Sequence, residues 1–402
     1  MKSRKISIGL FAVILVGLTS CKNNATSEDP EISGTAQTAE DWQLGPFIKV
    51  DSVNPILRPN PKASFIDPIR NTTIHWEAKD VFNPSAVTHN GKVMLIYRAE
   101  DSVGKYAGTS RIGLAESEDG LHFTRHPEPI FYPGEDEVKK FEWEGGTEDP
   151  RVVQDEDGTY YMTYSAWPGQ NSYLSIASSP DLKTWTKHGP VFEEALGGKY
   201  LNTWSKSGAI VSRMEDGNMI AQKINGKYWM YWGDTDIFLA TSEDLVNWTP
   251  VEAAPGDTVQ VSNSQFKGLK PILSPRPGQF DSHLVEPGPA PIITADGIWM
   301  IYNSRNGGKN MNPDLPEGTY SAGQVLFDID DPTRVIARSE EYFITPEKDY
   351  EVDGQVDRVC FVEGLVYFKD KWYLYYGTAD SKIAVAVCTD ESFLKKAQNP
   401  EL

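Results

Sequence analysis

Cysteine is scarce. Three occur, at 21, 360 and 388, too few for a disulfide-stapled scaffold and without zinc-ligand spacing. Positive charge is also in short supply, with 38 Lys and Arg against 57 Asp and Glu and a net charge of −19. That excludes the basic face a nucleic-acid partner requires. The six histidines form no His-Glu-x-x-His motif, and His122 and His126 stand four apart in a turn-and-strand segment, so no metal is expected. Neither a phosphate-binding loop nor a Gly-x-Ser-x-Gly nucleophile elbow is present, since Gly145-Gly146-Thr147 is followed by no Lys-Ser/Thr pair and no helix. Helix signals are nearly absent, and no apolar run is long enough to span a bilayer comfortably. What is abundant is aromatic: 11 Trp and 18 Tyr, a density suited to a β-rich protein or a sugar binder.

The first residues read as a targeting segment. Lys2, Arg4 and Lys5 precede the apolar run Ile6 to Leu18, and Leu18-Thr19-Ser20-Cys21 follows. Small residues before a cysteine at that place resemble a bacterial lipobox, which makes Cys21 the lipidated N-terminus of the mature chain. Residues 1–20 are expected to be a lipoprotein signal peptide and residues 21–44 a flexible polar tether. Residues 45–402 form the body. The expected location is a lipid anchor in a bacterial outer membrane, on its periplasmic or surface face.

The body repeats. Asn90-Gly91, Asp157-Gly158, Asn225-Gly226, Asp296-Gly297 and Asp370-Lys371 each open a run of aromatic and aliphatic residues, at spacings of 67, 68, 71 and 74 residues. Asn-Gly and Asp-Gly favour the type I′ hairpin turn, because both central residues need positive φ. The runs that follow have the composition of buried strands. Behind them recur strands ending in a Ser/Asp turn: residues 110–123, 172–185 and 235–248 are close copies, 321–332 and 381–392 looser ones. Three to four strands in each of five repeats predict an all-β, five-bladed β-propeller.

In that architecture the leading ends of the inner strands converge on a funnel. Those ends carry Asn83-Pro84, Glu148-Asp149-Pro150-Arg151, Lys206, Glu286-Pro287 and Arg358, and the next strands end near Arg98, Asp234, Asn303 and Asp380. Carboxylates gathered in an aromatic-rich funnel suggest glycoside chemistry, in which one acid protonates a leaving oxygen and another group handles the nucleophile. Asp149, Asp234 and Glu286 come from three successive repeats and can stand around one sugar. Cys360 and Cys388 fall within strands and are read as buried hydrophobic side chains.

The strings NPIL (54–57), VFNPSAV (81–87), LIYRAED (95–101), SRIGLAES (110–117), GGTEDPRVV (145–153), DSHLVEPGPAPI (281–292), SAGQVLFDIDDPTRVIARS (321–339) and YYGTADSKIAVA (375–386) resemble glycoside hydrolase family 130. The resemblance spans about 45–395. It implies a five-bladed propeller acting on β-mannosides, which agrees with the repeat count. The family's phosphorylases carry an HRP-like triplet at the end of the third run, where this chain has Trp232-Gly233-Asp234. They also carry an arginine in the segment that here reads Trp167-Pro168-Gly169-Gln170-Asn171. Two carboxylates, Asp234 and Glu286, in place of cationic phosphate ligands would repel a dianion and hold a water.

The resemblance therefore implies an inverting exo-acting β-mannosidase, most similar to the family's β-1,2-mannoside hydrolases. Asp149 is the implied acid, protonating through the sugar's own 3-hydroxyl. Glu286 and Asp234 are the implied water-activating pair, with Asp236 a rival for the second place. Asn83, Arg98, Arg111, Lys206, Asn303 and Asp380 are the implied sugar contacts. No cofactor is expected, and the partners are a β-mannoside oligosaccharide and the membrane holding the anchor. Two other readings stay open: a β-mannoside phosphorylase forming mannose 1-phosphate, and a non-catalytic glycan-binding lipoprotein.

Overall fold

A computed structural model describes residues 40–256 and 260–400. The signal-like segment, Cys21 and the tether as far as residue 39 lie outside these residues. Leu44, read as the last tether residue, is fully buried, and Gln324 holds both its backbone N–H and its carbonyl at 2.9 Å.

The chain is mostly β, arranged as antiparallel ladders that follow the repeats. The first ladder pairs Asp80–His89, Lys92–Glu100, Ser110–Ser117 and Thr124–Arg125. The second pairs Gly146–Gln154, Tyr160–Trp167, Tyr173–Ser179 and Thr186–Pro190. The third contains Ala209–Ile210, Tyr228–Trp232, Phe238–Ser242 and Trp248–Pro250. In the fourth, Leu284–Pro287 and Ile292–Thr294 both pair with Gly297–Arg305, followed by Tyr320–Phe327 and Val335–Arg338. The fifth comprises Cys360–Phe368, Lys371–Thr378 and Lys382–Cys388, and its outer strand is the N-terminal Ile48–Lys49.

Strand periodicity explains the aromatic runs. Successive side chains point to opposite faces, so a strand buried on both faces reads as continuous apolar sequence. Met94 and Ile96 join a core with Val152, Met162 and Tyr164 of the second ladder, while Val93, Leu95 and Tyr97 join Tyr373, Tyr375 and Val385 of the fifth. Met230 and Trp232 pack with Leu174 and Ile176 of the second ladder, and Tyr231 packs with Met300 and Ile298 of the fourth. Trp299 and Ile301 meet Trp372 and Leu374 of the fifth. Each ladder thus shares one core with the ladder before it and one with the ladder after it, the fifth meeting the first. Cys360 and Cys388 are free thiols within these packed layers.

Two local readings change. Positive φ at Asn90 and Gly91, and at Asn225 and Gly226, fits type I′ turns, but at Asp157-Gly158 and Asp296-Gly297 only the glycine is left-handed, and in the fifth ladder the left-handed pair is Lys369 and Asp370, one residue earlier than Asp370-Lys371. The third repeat also contains an extra hairpin, Ser212–Glu215 with Asn218–Ala221, turned by Asp216 and Gly217. It bridges in parallel to Gln154 of the second ladder and Ile292 of the fourth. Among the described residues no helix is long and apolar enough to cross a membrane.

Candidate active site

The strands that carry the expected site residues do not run straight. Pairing slips between Phe82 and Pro84, between Glu148 and Arg151, and between Val362 and Gly364. Such bulges leave one strand with unpaired residues and re-aim their side chains. The residues released are Asn83, Asp149 with Pro150, and Glu363. Asn83 and Asp149 have φ of 46° and 50°, as do Ser207 (57°) and Asp380 (48°) nearby. Left-handed backbone at non-glycine positions is uncommon and costs energy, and it recurs here where polar groups converge.

Asp149 is buried, and its carboxylate is heavily solvated by the protein. Asn83 Nδ2 donates to Oδ1 at 2.9 Å, Arg98 Nη1 donates to the same oxygen at 3.2 Å, and Lys206 Nζ lies 3.7 Å from Oδ2. Burial pushes its pKa up, but Arg98, Lys206 and the Asn83 amide outweigh burial, and the group is held below its ordinary range. Arg98 also donates to Glu148 at 2.9 Å and to Glu100 at 2.6 Å, while its guanidinium lies 4.6 Å from the centre of the Phe82 ring. Glu148 is pushed up to about 7 by burial, against the pull of Arg98, with Asp149 adding to the rise. Asp380 reaches about 7 by burial as well, opposed by Arg98 and reinforced by Asp149. One guanidinium thus serves more carboxylates than it can neutralise.

Glu286 stands on the other side of Lys206, whose Nζ is 3.6 Å from Oε1. Ser207 Oγ donates to the same oxygen. Burial raises the Glu286 pKa, with Lys206 lowering it and Asp234 raising it. Burial disfavours the Lys206 ammonium, yet Glu286, Asp149 and Asp234 together lift its pKa and keep it charged. Asp234 is half-buried and accepts the Trp204 indole N–H at 3.1 Å. Asp236 is buried away from it and accepts the Ser262 backbone N–H at 2.8 Å. Beneath the site lies a pair the sequence reading did not single out: Arg151 Nη2, 2.8 Å from Glu363 Oε1, both deeply buried. Arg151 also donates to the carbonyls of Pro287 and Gly288, tying the second inner strand to the fourth. Tyr320 stands near Glu286, and Arg305 lies against Tyr320. The Tyr320 hydroxyl is pushed up to about 12 by burial and by Glu286, and the Arg305 guanidinium lies 5.9 Å from its ring centre with Nε buried and unpaired.

The structure therefore brings together Asp149, Glu286, Asp234, Lys206, Arg98, Asn83 and Asp380. Two expected sugar contacts fall away. Arg111 is wholly buried between Asp67 and Asp101, at 2.6 and 2.5 Å, on the far face of its ladder. Asn303 spends both ends of its amide on the Val362 backbone, at 2.9 and 2.7 Å, with no exposure. Arg98 is present, but as a clamp on carboxylates whose hydrogen bonds are already used.

A family model described as beta-1,4-mannooligosaccharide phosphorylase matches residues 51–398. The chain belongs to glycoside hydrolase family 130. A 1,2-beta-oligomannan phosphorylase of Thermoanaerobacter sp. (strain X514) is 34% identical over 321 residues, covering 78% of this chain and 90% of its own. A beta-1,2-mannobiose phosphorylase of the same strain is 33% identical, covering 79% and 92%. A solved structure, 46% identical with a TM-score of 0.83, covers 88% of this chain and 96% of its own. Its description states that this family of mannoside phosphorylases contains glycoside hydrolases that target beta-1,2 mannosidic linkages in Candida mannan.

These curated relatives correct the expectation of a hydrolase, since both are phosphorylases. The physical argument behind that expectation counted Asp234 and Glu286 as bare anions. In the structure Lys206 lies between Glu286 and Asp149, and Arg151 lowers the Glu286 pKa. The carboxylates at the site are thus interleaved with cations rather than bare.

Proposed function

We propose that this protein is a β-1,2-mannoside phosphorylase acting by a single inverting displacement. The observation that carries the reading is the phosphorolytic activity named for both relatives across most of this chain. Phosphate attacks the anomeric carbon from the side of Glu286 and Asp234. As the new carbon–oxygen bond to phosphate forms, the glycosidic bond breaks, and the leaving oxygen takes a proton relayed from Asp149 through the 3-hydroxyl. Lys206 and Arg305 are the cations available to the phosphate. Glu286, its pKa raised by burial, offers a donor to a phosphate oxygen while protonated. The products are α-mannose 1-phosphate and a chain one sugar shorter. Phosphorus NMR of the enzyme with β-1,2-mannobiose and phosphate tests this: mannose 1-phosphate is expected, with no turnover when phosphate is omitted. Free mannose formed at a phosphate-independent rate overturns the reading.

The five ladders are further proposed to be blades of a five-bladed propeller. The five shared cores support this, as does the close approach of the fifth inner strand to the first, where a methyl on Gly364 would meet the Pro84 carbonyl at 2.8 Å. For the anchor, the lipobox-like string supports lipidation at Cys21. Cys21→Ser is expected to release the protein from the membrane fraction of a Gram-negative host. A mutant that still sediments with membranes ends the lipoprotein proposal.

A further inference from the structure

The rim of the funnel between the first, second and third ladders is a row of aromatic rings. Trp167 ends the strand Tyr160–Trp167 and pairs with Gly146, three residues along its partner strand from Asp149. That places it about 10 Å up the strand at 3.3 Å per residue. Trp204 packs edge-on against Trp167 with ring centres 5.7 Å apart, and Tyr106 lies 6.4 Å away on the other side. All three are half-buried. The backbone is shaped to them: a methyl on Gly145 would sit 1.9 Å from Trp167 Cδ1, and one on Gly169 would sit 1.9 Å from Tyr106 Cζ. At this rim Asn171 Nδ2 donates to the Asn202 carbonyl at 3.4 Å, and Lys105 Nζ lies 4.9 Å from the centre of the Tyr106 ring. At the inner end, the Trp204 indole is bonded to Asp234, so the row begins at the site itself.

Two residues along the strand from Asp149, Arg151 is paired with Glu363 at 2.8 Å, both almost without exposure. The aromatic rim is the exposed direction for further sugars beyond a mannosyl unit seated at Asp149.

We propose that Trp204, Trp167 and Tyr106 form a stacking platform for the sugars beyond the scissile bond, making the preferred substrate an oligosaccharide of at least three units. The proposal rests on the mannoside reading above. Trp204 carries the sugar next to the cleaved bond, and Trp167 with Tyr106 carries the one after it. Amphipathic rings beside hydrogen-bonding side chains match a pyranose, which presents an apolar face and hydroxyl edges.

Calorimetric titration of the Asp149→Asn protein with β-1,2-mannobiose and β-1,2-mannotriose tests this. The trisaccharide is expected to bind roughly tenfold more tightly, the scale of one aromatic contact. Trp167→Ala in the same background should abolish that preference and leave the disaccharide affinity unchanged. Tyr106→Ala, in a loop and safer for folding, should reduce the preference in the same direction. Equal affinity for both oligomers, or a preference that survives both substitutions, overturns the platform while the mannoside reading stands. Failure of either oligomer to bind the parent protein overturns both.

Discussion

Asp149→Asn is expected to lower kcat on β-1,2-mannobiose by roughly 10²- to 10⁴-fold, the range of general acid assistance, with little change in KM. The amide keeps the shape and can still meet Asn83 and Arg98, but it carries no proton to the leaving oxygen. Substrates with an acidic aglycone, which need no protonation, should lose far less. The environment sharpens the expectation. Arg98 and Lys206 hold Asp149 ionised in the resting protein, whereas burial lifts Glu148 and Asp380 to about 7. The proton that Asp149 relays is therefore held first on its neighbours. A carboxyl with a raised pKa is protonated below that value and ionised above it, so kcat/KM should fall as pH rises through about 7. A pH–rate profile flat from acid to alkali contradicts the shared proton. Near-normal turnover of unactivated mannobiose by Asp149→Asn would reduce Asp149 to the residue that fills a strand bulge.

Much of this architecture is legible in the chain because it is local. Runs such as Lys92–Glu100 and Lys371–Thr378 are apolar throughout since both faces meet a neighbouring ladder, and their turns recur at nearly constant spacing. The meeting of Asp149, Glu286 and Lys206 follows from their shared place at the leading ends of strands, and Asp234 joins them from the trailing end of Tyr228–Trp232. What escaped the reading is non-local. Arg98 and Arg111 both stand near strand ends, but Arg98 pairs with Ile112 and Arg111 with Ala99. That offset of one sends their side chains to opposite faces. Asn303 shares a face with Glu286, its direct partner across the ladder, yet the Val362 backbone at the next ladder's bulge takes its amide. Glu363 in the apolar string VCFVEG signals a buried charge, but only the fold reveals Arg151 as its counterion. The acceptor was misread for the same reason: carboxylates can be counted in a sequence, whereas the cations that compensate them come from other repeats.

The largest expected loss of stability comes from Arg111, the residue the structure removes from the site. Its guanidinium has no exposure. Nη1 meets Asp101 at 2.5 Å and the Thr109 carbonyl at 3.0 Å, Nη2 meets Asp67 at 2.6 Å, and the plane lies 5.0 Å from the centre of the Phe65 ring. The two aspartates are not ornamental. Asp67 Oδ1 accepts the backbone N–H groups of Ile69 and Arg70, and Asp101 Oδ1 accepts those of Val103 and Thr109, so together they shape two loops, one of which carries Tyr106. Arg111→Ala leaves two buried carboxylates facing each other without a counterion. Removing one partner of such a network costs about 3–5 kcal/mol, a fall in Tm on the order of 10 °C for a domain of this size. Arg111→Lys should recover only part of it, because one ammonium cannot reproduce the planar fork. Neutralising the aspartates in the same protein, as Arg111→Met with Asp67→Asn and Asp101→Asn, should recover more, since no charge is then buried alone. Thermal unfolding of the four proteins decides it. A Tm of Arg111→Ala close to that of the parent would mean that water reaches both carboxylates and that the network does not hold these loops.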